Sequence, residues 1–268
     1  MDAARLASLL DSVALLARSA GEAIVEIRRG ALDVEAKGDG SPVTRADRAA
    51  EDIIVPGLRQ LTPELSVVSE EGDVNGAVRA AGGTYWLVDP LDGTKEFIKG
   101  LPEYTVNVAL VEAGVPILGV VLVPAAQRLY LAARGVGARR VGTSGTVALA
   151  PPSVERPRSA VVSRSHRGPD TDAFLERLGV TEMIPSGSSL KLCAVAEGAA
   201  HVYPRFGPTC YWDTGAGAAV ATVAGCGVVD LFGQPLRYDL ASGIKHPGFI
   251  VCAPGRILVA CLEARPGA

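Results

Sequence analysis

The stretch Tyr85-Trp86-Leu87-Val88-Asp89-Pro90-Leu91-Asp92-Gly93-Thr94 constrains the fold more than any other, because its physical character changes twice within it. A short continuous apolar run reads as a buried strand. Asp89 and Pro90 end that strand, since a carboxylate resists burial and proline cannot donate to a ladder. Gly93 and Thr94 then open what reads as a helix through Phe97. Two carboxylates therefore stand at a strand exit beside the free N–H groups of a helix start. Oxygen-only side chains suit Mg²⁺ and free N–H groups suit an anion, so one turn could hold cations and phosphate together. Read alone, such an Asp-x-x-Asp turn is more often a solvated connection than a metal site, and carboxylates elsewhere have to decide.

The chain has the means to build such a core. Its 268 residues are 48% apolar with a net charge of -3, enough for one large domain or two small ones and too apolar for disorder. The charge is spread along the chain, which argues against a nucleic-acid-binding surface. Leu6, Leu9, Leu10, Val13, Leu16, Ala17 and Ala20 follow helical spacing, interrupted by Arg5, Asp11 and Arg18 as a signal-peptide core would not be. The uncharged runs near 115–127 and 214–229 are too short and too rich in Gly or Pro to span a bilayer. A cytoplasmic protein without an integral membrane segment is expected. The five cysteines, Cys193, Cys210, Cys226, Cys252 and Cys261, lack metal-finger spacing and read as buried reduced thiols.

In order, a first helix to about Arg29 precedes a short strand near Leu32 to Ala36 and a Gly/Pro loop from Lys37. The loop enters a second helix with Ala46, Ala49, Ala50, Ile53, Ile54 and Leu58 on its apolar face, which Pro56 distorts or ends. Asp47, near its start, is either a first-turn acid favouring the helix dipole or a catalytic group. Ser66 to Ser69 form a strand running into Glu70-Glu71, an acidic pair that on its own reads as solvated. Tyr104 to Ala133 are β-branched with turn residues between, a meander that serves as scaffold. The composition shifts around 147–158, where a boundary is placed between an N-terminal unit, 1–150, and a C-terminal unit, 151–268. Beyond it come a strand ending in Arg164-Ser165-His166, helices over 170–178, 190–197 and 211–224, and short strands near Val202, Val228, Leu236 and Phe249.

Ser69-Glu70-Glu71, Asp89-Pro90-Leu91-Asp92-Gly93-Thr94 and Trp212-Asp213-Thr214-Gly215-Ala216-Gly217, in this order and spacing, resemble the inositol monophosphatase superfamily over nearly the whole chain. Gly93-Thr94-Lys95-Glu96-Phe97-Ile98, Ser163-Arg164-Ser165-His166, Gly187-Ser188-Ser189-Leu190-Lys191 and Tyr203-Pro204-Arg205-Phe206-Gly207-Pro208 resemble in particular its 3'(2'),5'-bisphosphate nucleotidases of the CysQ type. The resemblance implies an α-β-α-β-α sandwich and Mg²⁺-dependent release of phosphate from 3'-phosphoadenosine 5'-phosphate, sensitive to Li⁺ and belonging to sulfate assimilation or nucleotide recycling. It implies that Glu70, Asp89 and the Leu91 carbonyl hold one Mg²⁺ and that Asp89, Asp92 and Asp213 hold a second, with a weaker third ion at Glu70. Asp47 and Thr94 would activate the attacking water. Gly93 and Thr94 would meet the phosphate, Asp213 would contact substrate, and Ser188, Lys191, Arg205 and His166 would contact the nucleotide.

The chemistry agrees with these assignments. Hydrolysis of a phosphate monoester needs the phosphoryl charge neutralised, a hydroxide near neutral pH and a stabilised leaving oxygen, which two cations roughly 4 Å apart can supply. A nucleoside bisphosphate brings a second dianion that needs cations of its own, a task suited to Lys191 and Arg205. An inositol or sugar monophosphatase is the nearest rival reading, and a catalytically silent phosphometabolite-binding protein comes second. The intact set of acids argues against silence. The expected partner is a small phosphorylated nucleotide, with a homodimer left open.

Overall fold

Residues 1–30, 34–36, 42–164 and 167–266 are described by the computed structural model. Leu32, the 37–41 loop, Ser165 and His166 lie outside them. Helix α1 (Ala3–Arg28) begins at Asp2, whose carboxylate accepts the Arg5 N–H at 2.8 Å. A small ribbon, β1 (Val34–Ala36) and β2 (Pro42–Thr44), leads into α2 (Arg45–Leu61). Then come β3 (Ser66–Ser69), α3 (Val74–Ala80), β4 (Thr84–Asp92), α4 (Thr94–Ile98), β5 (Thr105–Glu112), β6 (Val115–Val123), β7 (Arg128–Ala133), β8 (Gly137–Gly142) and β9 (Gly145–Ala148). The second half adds β10 (Ser159–Ser163), α5 (Pro169–Arg177), β11 (Glu182–Ser186), α6 (Leu190–Ala196), β12 (Val202–Arg205), β13 (Thr209–Cys210), α7 (Tyr211–Val223), β14 (Gly227–Asp230), β15 (Lys245–His246), β16 (Phe249–Cys252) and α8 (Ile257–Ala264).

Period-two alternation in the strands sorts these elements into layers. The seven-stranded sheet runs in order from β3 to β9. One of its faces carries Trp86, Val88, Val106, Val108, Leu110, Val120 and Leu131, packed against Leu9, Val13 and Ile24 of α1 and Ile54 and Leu58 of α2. The neighbours in sequence, Tyr85, Leu87, Ala109, Val111, Val121 and Tyr130, face the other way onto α6 and α7. The five-stranded sheet, ordered β11-β10-β12-β16-β14, turns Val161, Tyr203, Phe249 and Val251 towards those same helices. Its outer face, Ala160, Val162, Val202 and Ile250, is covered by Phe174 and Leu175 of α5 and Ile257 and Cys261 of α8. The order is α-β-α-β-α, as the resemblance implies.

Four details depart from the sequence reading. β4 continues through Asp89 and Pro90 to Asp92: its pairing with β5 breaks after Asp89↔Asn107 and resumes at Asp92↔Thr105. Pro90 thus sits in an irregularity where no ladder donation is required of it. Pro56 does not end α2; it is exposed, so water can satisfy the carbonyl it frees while Val55 and Leu58 stay buried. The meander extends to β9, where the composition shift suggests a connection. Near Leu236 there is one isolated bridge, Val229↔Pro235, rather than a strand.

Candidate active site

Each candidate side chain is delivered by an element end. Asp47 closes a capping box on α2: its Oδ2 accepts the Thr44 N–H and the Thr44 hydroxyl, both at 2.7 Å. That leaves Oδ1 facing the Thr94 hydroxyl at 3.2 Å. Helix cap and site residue, alternatives in the sequence, are two oxygens of one carboxylate. Glu70 follows β3, and its N–H prolongs the pairing by donating to the Val88 carbonyl at 3.1 Å. Asp89 lies in the β4 irregularity, where Oδ1 accepts the Leu91 N–H at 3.1 Å. Asp213 occupies the first turn of α7, and its Oδ2 accepts the Cys210 N–H at 3.1 Å. Carboxylate oxygens of Glu70, Asp89 and Asp213 lie within 4.8 Å of one another.

Asp92 lines the same cavity but is held differently. Its Oδ2 accepts the Ser189 N–H at 2.6 Å, with the Ser189 hydroxyl at 2.9 Å and the Asn107 amide at 3.4 Å. Ser189 Oγ also lies 2.6 Å from the Asp213 carbonyl and accepts from Asn107 at 2.8 Å. These two supporting residues escape the sequence reading; the only signal was a polar residue beside Ser188 in a Gly-Ser-Ser turn. The Leu91 carbonyl lies 3.2 Å from Thr94 Oγ1.

The acids are crowded, and Asp47 and Asp89 are buried. Burial, then the charges of Glu70, Asp92, Asp213 and Asp47, push the Asp89 carboxyl well above the usual carboxylate range. Burial followed by Asp92 and Glu70 does the same to Asp213. Burial also raises Asp92, against the pull of Lys191 and the Ser189 bonds, and raises Asp47 against its bonds from Thr44 and Thr94. Such a cluster is short of positive charge. Asp89 Oδ2 is buried with no hydrogen-bond partner among the described residues, and an all-oxygen donor set suits a hard cation. The residues present fit Mg²⁺.

Glu70, Asp89, Asp92 and Asp213 line a cavity of about 340 Å³ together with Lys95, Arg164, Lys191, Arg205 and Lys245. Lys191 is only 7% exposed; its Nζ donates to the Ser188 carbonyl at 2.6 Å and stands 5.6 Å from the centre of the Tyr203 ring. Burial lowers its pKa, against the attraction of Asp92. Ser188 is left-handed, with φ 46°. Arg205 donates through Nε to Thr209 Oγ1 at 3.0 Å and through Nη2 to the Pro208 carbonyl at 3.3 Å. Gly93 is also left-handed, with φ 91°, and a Cβ there would lie 2.9 Å from the Glu103 carbonyl oxygen. His166 lies outside the described residues. Lys95, part of the 93–98 stretch but given no role there, and Lys245, which the sequence reading missed, also line the cavity.

A family-wide sequence profile described as the inositol monophosphatase family matches residues 6–261. The chain belongs to the inositol monophosphatase family. It is 49% identical to the 3'(2'),5'-bisphosphate nucleotidase CysQ of Escherichia coli O157:H7, over 91% of this chain and 99% of that relative. It is 47% identical to the protein of the same name from Salmonella typhimurium, again over 91% and 99%. The crystal structure of CysQ from Bacteroides thetaiotaomicron superposes with a TM-score of 0.79 at 41% identity, covering 92% of this chain and 97% of that one.

Proposed function

We propose that this family member hydrolyses 3'-phosphoadenosine 5'-phosphate to AMP and phosphate, with Mg²⁺ as cofactor. The observation that carries the reading is that buried Lys191, together with Arg205, lines the same cavity as the acidic cluster. A polyol monophosphate brings one phosphate for the acids and their ions to handle. A bisphosphate brings a second dianion, and a desolvated ammonium with an anchored guanidinium answers it. The names of the CysQ relatives support the same substrate class.

In this reading Glu70, Asp89 and the Leu91 carbonyl hold one Mg²⁺, and Asp89, Asp92 and Asp213 hold the second; a third at Glu70 belongs to the same proposal. Bound there, the ions supply neutralisation of the phosphoryl charge and acidify water. Thr94 Oγ1 takes the proton of the attacking water and passes its own to Asp47 Oδ1, 3.2 Å away. Burial raises the proton affinity of Asp47, and the Thr44 bonds keep its free oxygen aimed. The N–H groups at Gly93 and Thr94 orient the phosphate. Ser188, Lys191 and Arg205 hold the nucleotide end, with His166 assigned there by resemblance.

The test is phosphate release from adenosine 3',5'-bisphosphate, inositol 1-phosphate and fructose 1,6-bisphosphate, with and without Mg²⁺. We expect Mg²⁺-dependent release with the nucleotide strongly preferred. Preference for inositol 1-phosphate would favour the monophosphatase, and no release from any would favour a silent binder.

A further inference from the structure

We propose that Glu103 is a positioning residue that sets the Gly187-Ser188 turn for the substrate's second phosphate; this rests on the bisphosphate reading of the site. Glu103 lies in the connection between α4 and β5, and its carboxylate spans to the second half of the chain. Oε1 accepts Arg164 Nη2 at 2.6 Å and Oε2 accepts Arg164 Nε at 3.1 Å, a two-pronged pairing that fixes the end of β10. Oε2 also accepts the Gly187 N–H at 2.9 Å, which fixes the exit of β11. One carboxylate therefore ties a first-half loop to two strand ends of the other sheet.

The main chain of Glu103 is wedged between two glycines. A Cβ at Gly93 would stand 2.9 Å from its carbonyl oxygen, and one at Gly187 would stand 3.0 Å from it. Gly93 opens the turn assigned to the reacting phosphate, and Gly187 precedes Ser188, assigned to the nucleotide. Ser188 holds φ 46°, a conformation that non-glycine residues keep only when their surroundings impose it. Two bonds bracket it: Glu103 to the Gly187 N–H on one side, and Lys191 Nζ to the Ser188 carbonyl, at 2.6 Å, on the other. Without the Glu103 carboxylate the turn loses its first bracket, and Gly187 and Ser188 shift, drawing with them the Lys191 ammonium bonded to the Ser188 carbonyl, while Ser189 stays tied to Asp92, Asn107 and the Asp213 carbonyl. Asp47 and Asp213 are anchored by their own helix caps and stay. The ion pair itself is part-exposed, with side-chain accessibilities of 40% for Arg164 and 24% for Glu103. It therefore adds little to global stability, and its role falls on binding.

The experiment compares wild type, Glu103→Ala and Glu103→Gln in steady-state hydrolysis of adenosine 3',5'-bisphosphate with Mg²⁺, alongside amide hydrogen exchange of the 186–190 segment without substrate. Glu103→Ala should raise KM about tenfold with kcat within about twofold of wild type, and should speed exchange at residues 187 and 188. Glu103→Gln keeps an acceptor for the Gly187 N–H and should return KM to within about threefold of wild type. An unchanged KM in Glu103→Ala overturns the proposal. So does a fall in kcat at constant KM, or a Glu103→Gln variant as impaired as Glu103→Ala. Wild-type protein that does not turn over the nucleotide overturns the bisphosphate reading itself and takes the Glu103 role with it.

Discussion

Asp47 serves two purposes with two oxygens, one capping α2 and one facing Thr94, and this separates local stability from chemistry at a single residue. Thr94→Val removes the hydroxyl between water and Asp47 without touching the cap. It should lower kcat on the order of 100-fold or more with little change in melting temperature. Asp89 presents the opposite case. Burial and neighbouring acids disfavour its charge, so Asp89→Asn should melt higher than wild type in EDTA while losing Mg²⁺-dependent phosphate release. Unchanged turnover would remove Asp89 from the metal ligands. Lys191→Met keeps the length of the side chain and removes its charge. It should weaken use of the bisphosphate by on the order of 10- to 100-fold, the worth of a charged hydrogen bond, and leave inositol 1-phosphate far less affected.

At the scale of elements, helix α7 carries Asp213 and must approach the large sheet closely. The contact is made by small residues. A Cβ at Gly119 of β6 would lie 2.3 Å from the Ala216 carbonyl oxygen, and one at Gly215 of α7 would lie 2.9 Å from Leu87 Cδ2 of β4. Because the clash at Gly119 is with backbone, the helix itself would have to move. Gly119→Ala should cost about 1–3 kcal/mol in urea unfolding. It should also weaken Mg²⁺ binding, read as a smaller rise in melting temperature on adding Mg²⁺, since Asp213 moves with the helix. The Gly and Ala content of this helix is visible in the sequence, but its facing glycine on β6 is not, because nothing local relates Gly119 to Ala216.

At the scale of the whole molecule, the two sheets enclose one shared core, and His246 lies in it. It is 3% exposed, with the rings of Tyr211 and Tyr238 at 4.4 and 4.7 Å and Nε2 without a partner among the described residues. Burial pushes its pKa down from 6.5 to about 4. A folded-state value below the unfolded one means that its contribution is fully present above pH 6.5 and is lost as pH falls towards 4. The loss is at most about 3 kcal/mol. Urea unfolding at pH 7 and pH 4 should show His246→Phe losing less stability than wild type over that interval, by about that amount. No helix among the described residues is long and apolar enough to cross a membrane.

The sequence by itself determined the strands that end in acids, the helix that follows Asp92, and the family, because motifs and alternation are local and survive without coordinates. It could not determine that Asp47 caps α2 and faces Thr94 at once, that Ser189 and Asn107 hold Asp92, or that β4 runs on through Pro90. Only the tertiary structure decided these. Each depends on which distant backbone or side chain arrives opposite, and a chain carries no local record of what its far segments will press against it.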